Sequence, residues 1–196
     1  MTIRTVGVVL AGGASRRMGG SPKAAMTLGR ETLLERAAAR LRPQVDAMVI
    51  NSNDDLALEG VQTVRDPFED RKGPLAGVLA AMMWAGANHP TALHVASVPV
   101  DVPHFPLDLV ERLRGVAPED GCAIAVAGGH PQPVFGLWPV EMEEALRSFL
   151  LTSETLKIMH FVREQQTGRY DFGDVGPFEN VNTPDDLEAV RARLGG

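Results

Sequence analysis

The sequence has a single cysteine, Cys122, among its 196 residues. One cysteine excludes an intramolecular disulfide and a cysteine-based zinc cluster. Because Cys122 lies in the run Gly-Cys-Ala-Ile-Ala-Val, we expect a small core residue rather than a nucleophile. No run reaches the roughly 20 apolar residues of a membrane span, and the N-terminus leads directly into an apolar run, so no signal peptide is visible. These features predict a cytoplasmic protein with no membrane partner.

The chain also lacks an excess of basic residues, because its formal net charge is -6. This balance argues against a nucleic-acid partner, which would require a basic surface. Positive charge is nevertheless concentrated early, at Arg16, Arg17 and Lys23. A locally basic loop on an acidic protein fits a small anionic ligand better than a polymer. The length suits one domain over residues 1–196, and we find no linker, repeat or low-complexity segment.

Residues 6–23 contain the strongest functional signal. They begin as an apolar run, which predicts a buried strand, and continue as a loop that contains Gly12, Gly13, Gly19 and Gly20. Glycines let backbone N–H groups approach an anion, and arginines can fork onto phosphate oxygens. A surface turn with scattered charges is the alternative interpretation. The joint occurrence of strand, glycines and cations in the first βα unit favours a polyphosphate site.

Two common phosphate-binding patterns are absent from this loop. A Walker loop requires Gly-x-x-x-x-Gly-Lys-Ser/Thr, whereas Lys23 follows Pro22 and precedes Ala24. A dinucleotide fingerprint requires Gly-x-Gly-x-x-Gly, which the two Gly-Gly pairs do not match.

Apolar periodicity predicts an α/β fold. We expect strands over 6–10, 45–51, 61–64, 92–98 and 122–127, with a further strand within 128–138. We expect helices over 32–41, 74–87, 107–113, 140–151 and 155–165. The second strand ends in the polar run Asn51-Ser52-Asn53, and Asp101 follows the strand 92–98. A single carboxylate there suits Mg²⁺, although a turn or helix-capping aspartate is the alternative.

Four segments resemble one family, the molybdenum cofactor guanylyltransferases. The loop Leu-Ala-Gly-Gly-Ala-Ser-Arg-Arg-Met-Gly at 10–19, followed by Lys23, resembles their signature loop. Gly-Pro-Leu-Ala-Gly at 73–77 resembles the segment beside the nucleotide base. Asp-Val-Pro at 101–103 resembles the metal-binding motif of the family. Asn-Val-Asn-Thr-Pro at 180–184 resembles the family's motif on the molybdopterin side. The chain departs from the family at Val100, where a small residue or cysteine is common, and is less basic over 140–165.

The resemblance implies a three-layer, Rossmann-like α/β nucleotidyltransferase domain with a mostly parallel, doubly wound sheet. It implies that GMP is transferred from GTP to molybdenum-bound molybdopterin and that pyrophosphate is released, with Mg²⁺ as cofactor. Docking to a molybdoenzyme or chaperone is a further possible interaction. The nucleotide half would span about 1–105, and the acceptor half about 106–196. The implied catalytic residues are Arg17, Lys23 and Asp101, with Asp101 as metal ligand. Nucleotide binding is implied for Leu10, Ala11, Gly12, Gly13, Lys23, Asn51, Asp66, Pro74, Leu75, Gly77 and Asp101, and pterin binding for Asn180 and Asn182.

Three alternatives remain open on the sequence. A related enzyme using CTP on the same cofactor and a sugar-nucleotide pyrophosphorylase commonly carry Leu-Ala-Ala-Gly, where this chain has Leu-Ala-Gly-Gly. A non-catalytic carrier of molybdenum cofactor would bind pterin without needing a metal aspartate or a cationic loop.

Overall fold

A computed structural model describes residues 4–12, 23–70, 72–181, 185–186 and 188–189. The strands are β1 (Thr5–Leu10), β2 (Thr27–Leu28), β3 (Glu31–Thr32), β4 (Ala47–Asn51), β5 (Gln62–Val64), β6 (His94–Pro99), β7 (Cys122–Ala127), β8 (His130–Pro139) and β9 (Thr167–Asp171). The α-helices are α1 (Leu33–Leu41), α2 (Pro74–Asn88), α3 (Leu109–Val116), α4 (Glu143–Thr152) and α5 (Ile158–Glu164). Short 3-10 helices span Lys23–Ala25, Arg42–Gln44, Val140–Met142 and Gly176–Phe178.

Within the described residues, the main sheet has seven strands in the order β5-β4-β1-β6-β8-β7-β9. All neighbouring pairs in it are parallel except those of β8, which runs antiparallel to both β6 and β7. The short β2 and β3 form a separate antiparallel ladder. The mostly parallel sheet predicted from the alternation of strands and helices is confirmed.

Helices cover both faces of this sheet and produce two cores. Helices α1 and α3 pack on one face, where buried residues include Leu34, Val98 and Leu109. Helices α2, α4 and α5 pack on the other face, where buried residues include Val8 and Leu79. The predicted three-layer arrangement is therefore confirmed. Among the residues that the structure describes, no helix is both long and apolar enough to cross a membrane.

The predicted helices are present, but three begin two or more residues later than expected. Helix α4 starts at Glu143, because Val140–Met142 form a 3-10 helix before it. Helix α3 starts at Leu109, two residues after the predicted start, and Leu107 is exposed. Helix α5 starts at Ile158, because the preceding segment forms a turn in which Ser153 Oγ donates to the Thr155 carbonyl at 2.8 Å. The strands β2, β3 and β9 were not predicted.

Cys122 lies at the start of β7 and is fully buried. Its sulfur lies 3.2 Å from Thr167 Oγ1, and burial raises the pKa of the thiol. A buried thiol with a raised pKa is a poor nucleophile, so the predicted core role is confirmed.

A buried polar link joins β6 to β8. Ser97 Oγ donates to the Val134 carbonyl at 2.7 Å and accepts from Trp138 Nε1 at 2.9 Å. Ser97 is 1% exposed and Trp138 fully buried. The hydroxyl therefore satisfies an indole N–H that has no access to water, and leaving such a donor unpaired is costly.

We predict that Ser97→Ala lowers the free energy of unfolding by about 1–3 kcal/mol, because it leaves the Trp138 N–H unpaired. Urea denaturation measures the change. Ser148→Ala, at an exposed position of α4, is the control and should change stability by less than about 0.5 kcal/mol. Equal stabilities of the two variants would contradict the role of the buried link.

Candidate active site

The carboxyl ends of four neighbouring strands lie side by side at one edge of the sheet. The ladders pair Leu10 of β1 with Asn51 of β4 and with Pro99 of β6, and pair Asn51 with Val64 of β5. Asp66 and Asp101 follow the outer two of these strands by two residues each. Since strands lie about 4.8 Å apart, three spacings separate the strand before Asp66 from the strand before Asp101. A ligand that contacts both carboxylates must therefore be elongated.

One end of this edge carries an ion pair between Lys23 and Asp101. Lys23 Nζ lies 2.9 Å from Asp101 Oδ2, and the side chains are 15% and 25% exposed. The pair brings together residues 78 positions apart in sequence. It joins the 3-10 helix after the glycine-rich loop to the segment after β6, so the cation and carboxylate predicted separately from the sequence are neighbours.

The position of Asn51 is fixed by the backbone and by its own amide. Asn51 is 4% exposed, and its carbonyl accepts from the Ala11 N–H at 2.9 Å. Its Nδ2 donates to Asp66 Oδ1 at 2.9 Å and to the Val64 carbonyl at 3.4 Å. Because both partners can only accept, the amide nitrogen must face them, and the amide oxygen faces the other way.

The amide oxygen of Asn51 lies beside two glycines. A Cβ atom built on Gly12 would lie 3.6 Å from Asn51 Oδ1, and one built on Gly77 would collide with that oxygen and lie 2.7 Å from Asn51 Cγ. Gly77 is required because this amide packs directly against the backbone of α2.

Helix α2 begins beside this edge. Gly73 precedes it with φ of +75°, a conformation that favours glycine, and Pro74 takes the first helical position, where a missing N–H has no cost. Leu75 is 1% exposed and packs in the core, so any contact of Leu75 with a ligand would use its backbone. Pro74 is exposed.

The Asn180 segment lies beside Asp101. The Val181 N–H donates to the Asp101 carbonyl at 2.8 Å, and Val181 is fully buried in the α1 side core. Asn180 is exposed. The segment predicted to bind the second substrate therefore joins the edge at its charged end.

The structure brings together Leu10, Ala11, Gly12, Lys23, Asn51, Asp66, Gly77, Asp101 and Asn180 at this edge. Three predicted residues, Arg17, Gly13 and Asn182, lie outside the described residues.

Sequence reasoning missed Asn53, whose Nδ2 donates to Asp66 Oδ2 at 2.8 Å. The sequence feature that could have identified Asn53 is the polar run Asn51-Ser52-Asn53 at the end of the second predicted strand.

The described part of the chain contains no group of three or more His, Cys, Asp or Glu side chains that could hold a metal ion. A hard divalent ion that binds one carboxylate together with substrate phosphates and water fits a site with Asp101 alone.

The two ends of the edge differ in chemistry. The Lys23–Asp101 end is charged and suits phosphates with a cation, whereas the Asn51–Asp66 end offers amide and carboxylate groups, which suit a hydrogen-bonding ring or sugar. A mostly parallel sheet with charged and hydrogen-bonding side chains at its carboxyl edge is typical of a nucleotide-binding α/β protein.

The chain belongs to the MobA-like NTP transferase family, whose domain model matches residues 7–168. It is 43% identical over 195 residues to a molybdenum cofactor guanylyltransferase of Cereibacter sphaeroides, and the match covers 98% of each chain.

Two solved structures share the fold. The molybdopterin-guanine dinucleotide biosynthesis protein A of Archaeoglobus fulgidus is 21% identical, with a TM-score of 0.75 over 97% of this chain and 98% of that one. A Mycobacterium tuberculosis protein in complex with manganese is 19% identical, with a TM-score of 0.70 over 98% of this chain and 100% of the other.

We predict that Gly77→Ala weakens binding of the nucleoside triphosphate roughly tenfold, the effect of losing about one hydrogen bond. The added methyl group would displace the Asn51 amide. Isothermal titration calorimetry with the purified variant measures the change.

Gly86→Ala is the matched control, because Gly86 lies in the same helix with nothing within 4 Å of its added Cβ. It should stabilise the protein by about 0.5–1 kcal/mol and leave binding unchanged. Equal nucleotide affinity in both variants would contradict the role of the Gly77–Asn51 contact.

Proposed function

We propose that this chain transfers GMP from GTP to the terminal phosphate of molybdenum-bound molybdopterin and releases pyrophosphate. The observation that carries the proposal is the 2.9 Å pair of Lys23 and Asp101. It brings a lysine ammonium and a carboxylate together at the edge where nucleotides bind in open α/β sheets, which supports a site for phosphates and a metal ion. The choice of substrates is supported by the 43% identical relative named molybdenum cofactor guanylyltransferase.

In this proposal the nucleotide lies along the carboxyl edge. Lys23 and Arg17 hold the triphosphate, and Lys23 balances the charge that builds on the leaving pyrophosphate. Leu10, Ala11 and Gly12 present backbone to the nucleotide, and Gly13 permits a close approach of the backbone. The Ala11 N–H is not among the free donors, because it donates to the Asn51 carbonyl. Asn51 and Asp66 bind the base or ribose beside the start of α2, which includes Pro74, Leu75 and Gly77.

Asp101 is the proposed ligand of Mg²⁺. A magnesium ion usually binds one or two protein carboxylates and completes its shell with substrate phosphates and water, and Asp101 supplies a partly exposed carboxylate at the Lys23 end of the edge. When bound, the ion would supply positive charge that orients and polarises the phosphates. The manganese in the Mycobacterium tuberculosis structure supports a divalent ion in this fold.

The second substrate is proposed to bind through Asn180 and Asn182. Residues two apart in an extended segment face the same side, and two amides can pair with the donors and acceptors on the edge of a pterin. The Val181 N–H donates to the Asp101 carbonyl, and this contact beside the Lys23–Asp101 pair supports arrival of the acceptor phosphate at that end of the edge. Residues 1–105 would then serve the nucleotide and residues 106–196 the acceptor.

No protein nucleophile is needed, because the acceptor phosphate itself attacks the α-phosphorus of GTP. The chain would accelerate the reaction by holding the two phosphates in line and by neutralising charge. Docking to a molybdoenzyme or a chaperone, and a cytoplasmic location, stay predictions.

The proposed reaction is tested by incubating the purified protein with molybdenum-loaded molybdopterin, Mg²⁺ and either GTP or CTP. The cofactor is then hydrolysed and its nucleotide identified by mass. Release of GMP from the product would support the proposal. CMP would assign the chain to the related CTP enzymes, and retention of unmodified cofactor would favour a carrier.

We predict that Asp101→Asn lowers turnover by roughly a hundredfold or more, the scale for removing a key electrostatic group. The substitution keeps the size of the side chain while removing the charge that would hold the metal. Turnover measured across a magnesium titration tests the role, and an unchanged magnesium dependence would contradict it.

Asp108→Asn is the matched control for that experiment. Asp108 lies before α3, where its carboxylate pairs with Arg112 at 2.8 Å and is 45% exposed. Exposed pairs of this type contribute little to stability, so the control should keep wild-type turnover and magnesium dependence.

We predict that GTP outcompetes CTP and ATP by at least roughly a hundredfold in kcat/KM, about 2.7 kcal/mol at the transition state. Guanine presents an N1–H beside an amino group, a donor pair that carboxylate or carbonyl acceptors at this edge can recognise. A competition assay with all three nucleotides at equal concentration measures the preference. Preferential incorporation of CMP would overturn the guanylyl assignment.

A further inference from the structure

We propose that Asn53 is a positioning residue of the nucleotide site, which holds the Asp66 carboxylate and through it the orientation of the Asn51 amide. This inference rests on the proposed function, because it assigns Asn51 and Asp66 to the nucleoside end of the substrate. Asn53 itself contacts Asp66 rather than the reacting atoms.

Asn53 and Asp66 are joined by two reciprocal hydrogen bonds. Asn53 Nδ2 donates to Asp66 Oδ2 at 2.8 Å, and Asn53 Oδ1 accepts from the Asp66 N–H at 3.0 Å. A carboxylate can only accept and a backbone N–H can only donate. Both bonds therefore require the same orientation of the Asn53 amide, which is fixed without ambiguity.

The two oxygens of Asp66 are held by different residues. Oδ2 accepts from Asn53, and Oδ1 accepts from Asn51 Nδ2 at 2.9 Å. With a donor on each oxygen, rotation of the carboxylate would break at least one charge-assisted hydrogen bond. Asn53 therefore fixes the plane of the Asp66 carboxylate. The fixed carboxylate keeps its hydrogen bond with Asn51 Nδ2, and this bond keeps Asn51 Oδ1 beside Gly12 and Gly77.

The backbone of Asn53 is also anchored. Arg65 Nη1 donates to the Asn53 carbonyl at 3.0 Å, and Ser52, which precedes Asn53, is fully buried. Arg65 in turn pairs with Asp55 at 2.8 Å, but these two side chains are 65% and 96% exposed. Asp55 thus belongs to the same loop without touching the Asp66 carboxylate, which makes it a suitable control.

Loss of Asn53 would affect the two ends of the site differently. The freed carboxylate could rotate, and the Asn51 amide could turn with it, so a nucleoside would meet groups that must be reoriented on binding. The Lys23–Asp101 pair lies after β6, three strands away from β5 and the Asp66 that follows it, so we expect the phosphates to bind there independently of Asn53. The expected signature is weakened binding of the nucleoside with unchanged binding of a bare polyphosphate.

The test compares Asn53→Ala, Asn53→Asp and Asp55→Ala by calorimetry with GTP, CTP and inorganic tripolyphosphate in the presence of Mg²⁺. Asn53→Ala should raise the Kd for GTP about tenfold, the loss of one hydrogen bond to a charged group. Asn53→Asp should raise it further, because it places a second carboxylate against Asp66. The Kd for tripolyphosphate should stay at the wild-type value in all three variants.

Steady-state kinetics provide a second measurement. Asn53→Ala should raise KM for GTP more than it lowers kcat, and it should reduce the preference for GTP over CTP. Asp55→Ala should match the wild type throughout. Unchanged GTP binding in Asn53→Ala, or equal loss of GTP and tripolyphosphate binding, would overturn the positioning role.

The proposed function is tested separately, by the nucleotide preference of the wild-type protein. If the wild type prefers CTP, the guanylyl proposal fails, and the effect of Asn53 is then measured on CTP against tripolyphosphate. If the wild type binds no nucleoside triphosphate, both inferences are overturned.

Discussion

Four parallel strands end at one level of the sheet because Leu10 is paired with both Asn51 and Pro99, and Asn51 with Val64. This shared register places the groups after each strand on one edge, although they come from distant parts of the sequence. A shift of one residue in any ladder would turn the side chains of that strand to the opposite face. The buried residues on both faces make such a shift costly, so the two hydrophobic cores also fix the geometry of the site.

The Lys23–Asp101 pair positions two segments of the edge. Its side chains are mostly buried, and the desolvation of such a pair offsets much of its Coulombic gain. The pair connects the segment that follows the glycine-rich loop to the segment after β6, and the backbone carbonyl of Asp101 accepts from the Val181 N–H. One residue thus contacts both the nucleotide-side loop and the segment assigned to the acceptor.

Much of this arrangement could be predicted from local signals. Apolar runs indicated six of the main strands, Gly73-Pro74 marked the start of α2, and the polar residues after strands indicated the candidate site at the carboxyl edge. The strand β9 was missed because Thr167–Asp171 is polar and short, and it becomes a strand only by pairing with β7. Similarly, the sequence identified Asn51 and Asp66, but the role of Asn53 depends on amide orientations that only neighbouring atoms fix.

The two ends of the edge carry different groups, and this difference has a consequence for selectivity in the proposed reaction. Phosphates are common to all nucleoside triphosphates, so in the proposed site the Lys23–Asp101 end would contribute affinity without discriminating between bases. Discrimination must arise where acceptors are held in one orientation, because a fixed group left unpaired by the wrong base cannot turn to another partner. Asn51 meets this condition through its bond to Asp66 and its contact with Gly77. In the proposed reaction, affinity and base selectivity are therefore separable properties of opposite ends of one site.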